Sequence, residues 1–404
     1  MRETLKNLDA LLSIRINLHE ELPRHLKQWD IANGRATFRI PSEFEFDVTI
    51  VDEDPSEQLY FLDIRFLFTP APEVPDSQFR VALEDRSNQA LKSAGLIGCY
   101  DFLHDFVLTH KISTLRWQAN EMSRGPWFGN VRVENVRRSL VVQYWTGLQT
   151  KNWIEIGISS GKSKDGEATW KGPETAKLGV RWFRGGVEAP TSDLEFDWTS
   201  LSMERVLKQV IARHISHILS SIEQGLSLFH IYDEGQTLET CSLSVSSAEP
   251  ADCGLTLGIN GQQSPCTVAI EPVVGRLVLS PHSALSARAE GELNLLKNPE
   301  STGAAAITRY LARNVQESTE RQAAYCGWRT LKNLKIDNAG LKFAQDVMAI
   351  SYFRGHSWGQ IPWAIAALVN LGGESWWAVE LYVSHLGRCR KLTLLTVHTA
   401  PIRP

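Results

Sequence analysis

The chain has 404 residues, of which 43% are hydrophobic and 22% charged, with 28 Gly and 17 Pro. This is the balance of a folded globular protein. It excludes long disorder and low-complexity classes, and at ~100–200 residues per domain the length leaves room for two to four modules. The 42 Lys and Arg against 46 Asp and Glu leave a net charge of −4, too mild for a polyanion to be the main partner, so charge gives no support to nucleic-acid binding.

In chain order, Leu11, Leu12, Ile14, Leu18, Leu22 and Leu26 mostly share one helical face, which predicts a lead-in helix interrupted near Pro23. After the turn signal Asn33-Gly34, Ala36, Phe38 and Ile40, then Phe44, Phe46, Val48 and Ile50, alternate with polar residues and predict two half-buried antiparallel strands. The acidic turn Asp52-Glu53-Asp54-Pro55 leads into a third strand over residues 59–68, giving a three-stranded meander. The Pro-rich stretch from Thr69 to Pro75 breaks the pattern. Leu108, Ile112, Leu115, Ala119 and Met122 then recur at helical spacing in a run from about Asp101, and a pair of helices is expected to cover the meander.

A second meander is predicted over residues 140–145, 153–158 and 178–183. It ends in a helix from about Leu201 to Phe229, capped by Ser200, with Leu207, Val210, Ile211, His214, Ile218, Ile222 and Leu226 inward. Weaker strands around 241–245, 254–259, 267–270 and 275–279, followed by helical stretches to Leu331, repeat the scheme. A fourth set of strands begins near Leu334 and still runs at Val397 with no helix after it, so this last module is expected to be incomplete. The fold class is therefore α+β, with tandem modules of antiparallel β-meanders alternating with covering helices in a repeat-like scaffold. The expected blocks are 1–126, 127–235, 236–331 and 332–404, the last starting a second repeat. A faint internal echo supports that repeat: Ile31-Ala32-Asn33 before Phe38 against Ile336-Asp337-Asn338 before Phe343, and Gln58–Ile64 against Ser375–Leu381.

Cys99, Cys241, Cys253, Cys266, Cys326 and Cys389 form no CxxC pair, so free thiols in a reducing compartment are expected and no zinc or redox motif is spelled out. There is no Asn-x-Ser/Thr sequon, and the start Met1-Arg2-Glu3-Thr4-Leu5-Lys6 lacks an apolar signal region, which favours cytosol or nucleus. The longest apolar run, Ile361 to Leu371, falls short of the ~18–20 residues of a membrane span, so no membrane partner is expected.

The sharpest enzymatic signal is Gly355-His356-Ser357-Trp358-Gly359, which matches the G-x-S-x-G nucleophile elbow, with Glu380 and His398 following in the chain order of a serine hydrolase. Against that reading, an elbow needs parallel strands alternating with helices, and only a short stretch follows Ser357; a hairpin loop with turn glycines is preferred. Gly157-Ile158-Ser159-Ser160-Gly161-Lys162-Ser163 is one residue short of a phosphate-binding loop and continues as a polar turn. His214 and His217 lack a third ligand at productive spacing, so one is expected to be buried packing and the other surface. Arg137-Arg138 and Arg388-Cys389-Arg390-Lys391 read as solvated strand ends. Trp127, Trp145, Trp153, Trp170, Trp182 and Trp198 crowd the second block; each is expected in the core, though their number hints at association. No catalytic, cofactor-binding or metal-binding residue is assigned.

The segments His19–Pro23, Trp29–Phe38, Glu43–Phe46, Phe61–Phe68, Tyr100–Lys111, Val141–Trp145, Trp153–Gly161 and Leu201–Ile211 resemble the subunit 14 family of the Mediator complex in its filamentous-fungal form. The resemblance is strongest over about residues 10–230. It implies repeated modules of mixed helix and sheet, and an architectural scaffold in the nucleus that links the head, middle and tail modules of Mediator for RNA polymerase II transcription. The implied partners are other Mediator subunits and, indirectly, the polymerase and transcription activators. No catalysis or cofactor is implied. The family also implies a preceding Leu-rich helical region and a C-terminal tail-engaging region, neither of which is read in this sequence. The alternatives are a serine hydrolase built on Ser357 and an adaptor unrelated to Mediator.

Overall fold

A computed structural model of the chain describes residues 2–54, 57–72, 77–136, 139–159, 176–192, 194–228, 238–259, 265–332, 347–358, 363–370, 373–380 and 395–396. The fold is α+β, with four antiparallel sheets and their helices. The chain divides into two compact units, Met1–Leu207 and Lys208–Pro404.

In the first unit, helix α1 (Arg2–Leu18) precedes a sheet of four strands in chain order, β1 (Trp29–Ala32), β2 (Arg35–Ile40), β3 (Phe44–Thr49) and β4 (Tyr60–Phe66). The strand β1 is an addition to the three-stranded reading: Trp-Asp-Ile-Ala is too short for its alternation to stand out. The Asn33-Gly34 turn is as expected, both residues taking positive φ (56° and 73°). A Cβ on Gly34 would lie 3.1 Å from Leu5, and the Gly34 amide donates to Asp9 Oδ1 at 2.7 Å, so α1 is seated directly on this hairpin. One face of the sheet carries the buried Phe38, Phe44, Phe46 and Val48. On the other, Asp47 is fully buried beneath Arg35 (3.1 Å), Thr37 (2.7 Å) and a bidentate Arg65 (3.0 and 3.1 Å).

The expected helix pair is α2 (Ser77–Arg124), which starts well before Asp101 and is interrupted at Ala94 and Gly95, where φ is −144° and +62°. The early part was not legible as a stripe because it buries only Leu83, Ser87 and Leu91, whereas Leu96 to Ala119 bury a continuous face. Helix α2 packs against β4 and against a second sheet. That sheet contains β5 (Val131–Val136), β6 (Ser139–Tyr144), β7 (Asn152–Ser159), β8 (Lys177–Arg184) and β9 (Val187–Ala189), again in chain order. The edge strands β5 and β9 extend the three-stranded reading. The next helix, α3 (Met203–Leu228), begins two residues later than read; its first turn is capped by Ser202, whose hydroxyl accepts from the Arg205 amide at 3.3 Å, while Ser200 instead receives the Arg205 guanidinium. The predicted inward residues of α3, His214 included, are all buried.

In the second unit, β10 (Leu238–Ser244), β11 (Gly254–Ile259), β12 (Cys266–Ile270) and β13 (Leu277–Ser280) form the third sheet. Helices α4 (Ala284–Asn294) and α5 (Pro299–Tyr325) follow. Ser283 and Ser286 cap α4 reciprocally. Two α4 side chains also close the edge of β13: Asn294 bonds both the amide and the carbonyl of Leu277 at 2.9 Å, and Glu290 accepts from the Leu279 amide at 2.8 Å. The fourth sheet orders β14 (Trp328–Thr330), β15 (Val347–Gly355), β16 (Trp363–Asn370), β17 (Gly373–Glu380) and β18 (Leu395–Thr396). The first echo, around Ile336 to Phe343, lies outside the described residues. The second pairs β4, an edge strand, with β17, an interior one.

Asp47 is held below its ordinary pKa of 3.8: burial pushes it up, but the hydrogen bonds from Arg65, Thr37 and Arg35 outweigh that. Its contribution is therefore present above pH 3.8 and lost as pH falls through the depressed value. Asp47→Asn should cost about 2–3 kcal/mol at neutral pH in chemical denaturation and flatten the acid limb of the stability profile. At the α3–α5 crossing, a Cβ on Gly225 would lie 2.6 Å from that of Ala304. Gly225→Val should destabilise the second unit by roughly 1–3 kcal/mol in a thermal melt, with Gly225→Ser closer to wild type.

Candidate functional site

The G-x-S-x-G segment falls at the end of β15. Residues His356–Trp358 make one 3-10 turn, and the next strand, β16, returns antiparallel with Phe353 opposite Ile365. A nucleophile elbow turns from a strand into an α-helix at the end of a parallel sheet; this is a hairpin in an antiparallel one. The glycine has a packing role instead: a Cβ on Gly355 would lie 2.8 Å from the Trp358 indole nitrogen. Trp358 in turn contacts Trp328, with ring centroids 6.2 Å apart. The Ser357 hydroxyl, Gly359, the Glu380 side chain and His398 lie outside the described residues. So do most of the phosphate-loop-like segment and both basic clusters; its first residue, Gly157, sits in β7 directly opposite Gly179 of β8. His214 is buried, while His217 is half exposed and reaches Glu300 at 3.4 Å. Among the described residues no three His, Cys, Asp or Glu side chains converge on a metal position. Burial raises the Cys99 thiol to about 12 and the Cys266 thiol to about 11, so both are protonated packing groups at neutral pH.

The strongest polar constellation lies in the first unit and was not singled out from sequence. Lys111, only 2% exposed, projects from α2 and donates to the carbonyls of Ser42 (2.8 Å) and Trp198 (3.1 Å), with its ammonium 4.7 Å from the centre of the Phe68 ring. Burial lowers its pKa, with Glu43 and Asp197 opposing. Two turns earlier on α2, His104 contacts Glu43 through Nδ1 and the Ala176 carbonyl through Nε2 at 2.7 Å. Gln118 completes the row, accepting from the Met203 amide (2.7 Å) and donating to the Leu201 carbonyl (3.1 Å). Beside it Thr69 pairs with the 199–201 backbone by two bonds of 2.7 Å. All of these groups are committed to fastening one part of the unit to another. The periodicity of α2 hid them, since Lys111 and His104 sit on its buried face at positions a sequence reader fills with apolar residues.

The outward-facing residues are of a different kind. Trp127, Trp145 and Trp182 are core, with the Trp182 indole donating to Tyr144 Oη at 2.9 Å. Trp153 lies on the outer face of the second sheet, stacked on Phe183 at 4.5 Å, beside Arg181, which bridges Glu155 and Glu188. Trp170 lies outside the described residues. Among the described residues, large aromatics are exposed at Trp117 on α2 (65%), Phe128 just beyond it (76%) and Tyr325 at the end of α5 (92%), none of them flagged by sequence. Rings presented to solvent are suited to protein contact and contribute no acid, base or nucleophile.

The fold and these residues define a protein of serial sheet-and-helix modules, braced internally by polar fasteners and carrying aromatic side chains on its surface. Comparison with known proteins gives the family. A family profile described as Mediator complex subunit MED14 matches residues 1–52, and one described as the fungal Med14 domain matches residues 222–317. The chain is similar to Mediator of RNA polymerase II transcription subunit 14 of Emericella nidulans, 35% identical over 379 residues, covering 93% of this chain and 34% of that protein. The proteins of the same name from Pyricularia oryzae (35% over 390 residues) and Neurospora crassa (32% over 399) are similar across 93% of this chain and 34% and 31% of theirs. The chain belongs to the Mediator subunit 14 family, and it spans about a third of the length of these relatives.

Lys111→Met keeps the length of the stem but removes the donor to two carbonyls. We expect it to lower the stability of the first unit by about 2–4 kcal/mol in urea denaturation, while the second unit's transition stays in place.

Proposed function

We propose that this chain is an architectural part of the Mediator coactivator in the nucleus, joining head, middle and tail modules by protein contacts and without catalysis. The observation that carries the reading is the fate of the buried and half-buried polar side chains: Lys111, His104, Gln118 and Asp47 each span separate elements of the first unit and hold them in register. A scaffold needs its own geometry fixed, so that surfaces along its length stay at set spacings. The exposed Trp117 and Phe128 supply anchors of the kind that dominate binding energy at protein interfaces. In this reading the blocks 1–126, 127–235, 236–331 and 332–404 are successive building modules, the last opening a second repeat. RNA polymerase II and activators are reached through the other subunits.

Tagged chain recovered from fungal nuclear extract should bring down head and middle subunits of Mediator, identified by mass spectrometry. Trp117→Ala with Phe128→Ala should reduce that recovery several-fold with melting temperature unchanged. Folded bait that retains no Mediator subunit would overturn the reading. Covalent labelling of Ser357 by a fluorophosphonate probe would favour the hydrolase instead.

A further inference from the structure

Facing Glu43 as a carboxylate, His104 is held in a way that only one protonation state satisfies. Its side chain is 8% exposed, with Nδ1 2.5 Å from Glu43 Oε2 and Nε2 2.7 Å from the Ala176 carbonyl oxygen. A carbonyl oxygen can only accept, so Nε2 must carry a hydrogen; a carboxylate can only accept, so Nδ1 must carry one too. A ring donating from both nitrogens is an imidazolium. The surroundings fit that charge. On α2 itself, Tyr100 stacks on the ring with centroids 5.2 Å apart and Asp101 adds negative charge, while His25 stacks on the far side of Tyr100 at 5.3 Å. The turn after β2 contributes Glu43, which also faces the Lys111 ammonium; the segment before α3 contributes Asp197, which acts on Lys111; among the described residues the start of β8 contributes the Ala176 carbonyl.

We propose that His104 is a proton-operated clamp: as imidazolium it ties both the turn between β2 and β3 and the start of β8 to α2, and as a neutral ring it releases β8. A neutral imidazole has one N–H. A bond to a carboxylate is stronger than one to a carbonyl, so the proton stays on Nδ1 toward Glu43, and the bare Nε2 then faces the Ala176 oxygen lone pair to lone pair. Burial of the ring works against its charge, but the hydrogen bond and charge of Glu43 and the carbonyl of Ala176 prevail, setting the pKa above the ordinary 6.5. The tie is therefore complete below pH 6.5 and is lost as pH rises through the raised value. The joint it controls lies between the first and second sheets, both in the first unit, so the clamp makes their coupling sensitive to protons.

Hydrogen exchange of the full chain, corrected for the intrinsic pH dependence of exchange, tests this at about pH 6 and about pH 9. Protection of peptides covering 177–183 should fall several-fold over that interval, while residues 254–259 keep theirs. His104→Leu, which has no donor for the Ala176 carbonyl, should show the low protection at both pH values. Glu43→Gln is the decisive variant: its amide can donate to the bare Nδ1 of a neutral ring whose Nε2–H remains on Ala176, so protection should persist at pH 9. Equal protection of the wild type at the two pH values, or a Glu43→Gln chain that loses as much as the wild type, would overturn the proposal.

Discussion

The ammonium group of Lys111 is the constraint around which the first unit is arranged. A buried cation must be satisfied by acceptors, and two backbone carbonyls, 69 and 87 residues away in sequence, converge on it. One belongs to the turn between β2 and β3, where Ser42 adopts a φ of +64°; the other belongs to the segment leading into α3. No apolar side chain could make that demand, because dispersion contacts tolerate sliding and a charge–carbonyl bond does not. The two-turn spacing of His104 and Lys111 puts both on the same face of α2, so one helix dictates the position of the sheet before it and the sheet after it. Gln118 and the Thr69–Ser200 bridge then carry the same restraint to the start of α3.

The second unit is fastened by other means. Its helices approach closely because they meet at small residues, Gly225 against Ala304 and Gly303 against Ile222. Beneath the fourth sheet, polar groups come in a short chain instead of a buried charge: Gln316 donates to Ser351, Ser351 to Glu320, and Thr319 to Glu374. Each donor in the chain has an acceptor, which keeps the network from costing what an orphaned group would. The open edge of β13 is consumed by α4, so that strand is unavailable for pairing with another chain. The two units thus reach rigidity by different chemistry, charge in one and close packing in the other.

Much of this architecture was legible in the sequence, and the reasons for the misses are local. Alternation of Phe38, Phe44, Phe46 and Val48 with polar neighbours located β2 and β3, and the apolar stripe of α3 located that helix with its one buried histidine, because period and burial coincide there. Edge strands escaped: β1 has four residues and β9 three, too few for a period to emerge. The first half of α2 escaped because its buried face is narrow and includes a serine. The fasteners escaped for a deeper reason. Their partners are main-chain carbonyls, which leave no mark on residue identity, so nothing at Ser42, Ala176 or Trp198 announces that a lysine or histidine ends there.

The same reasoning explains why a local motif carries less weight here than the family resemblance. Gly355-His356-Ser357-Trp358-Gly359 has the residue types of a nucleophile elbow, but those types are also what a tight hairpin beside an indole requires, since only glycine leaves room for Trp358. A five-residue pattern carries no information on whether the sheet beneath it is parallel or antiparallel, and that difference decides the chemistry. A resemblance spread over many elements samples the connectivity itself, with strand after strand and helix after helix in order. In the scaffold role proposed for this chain, that long-range order is where function would be written, and a five-residue motif is too short a scale on which to read it.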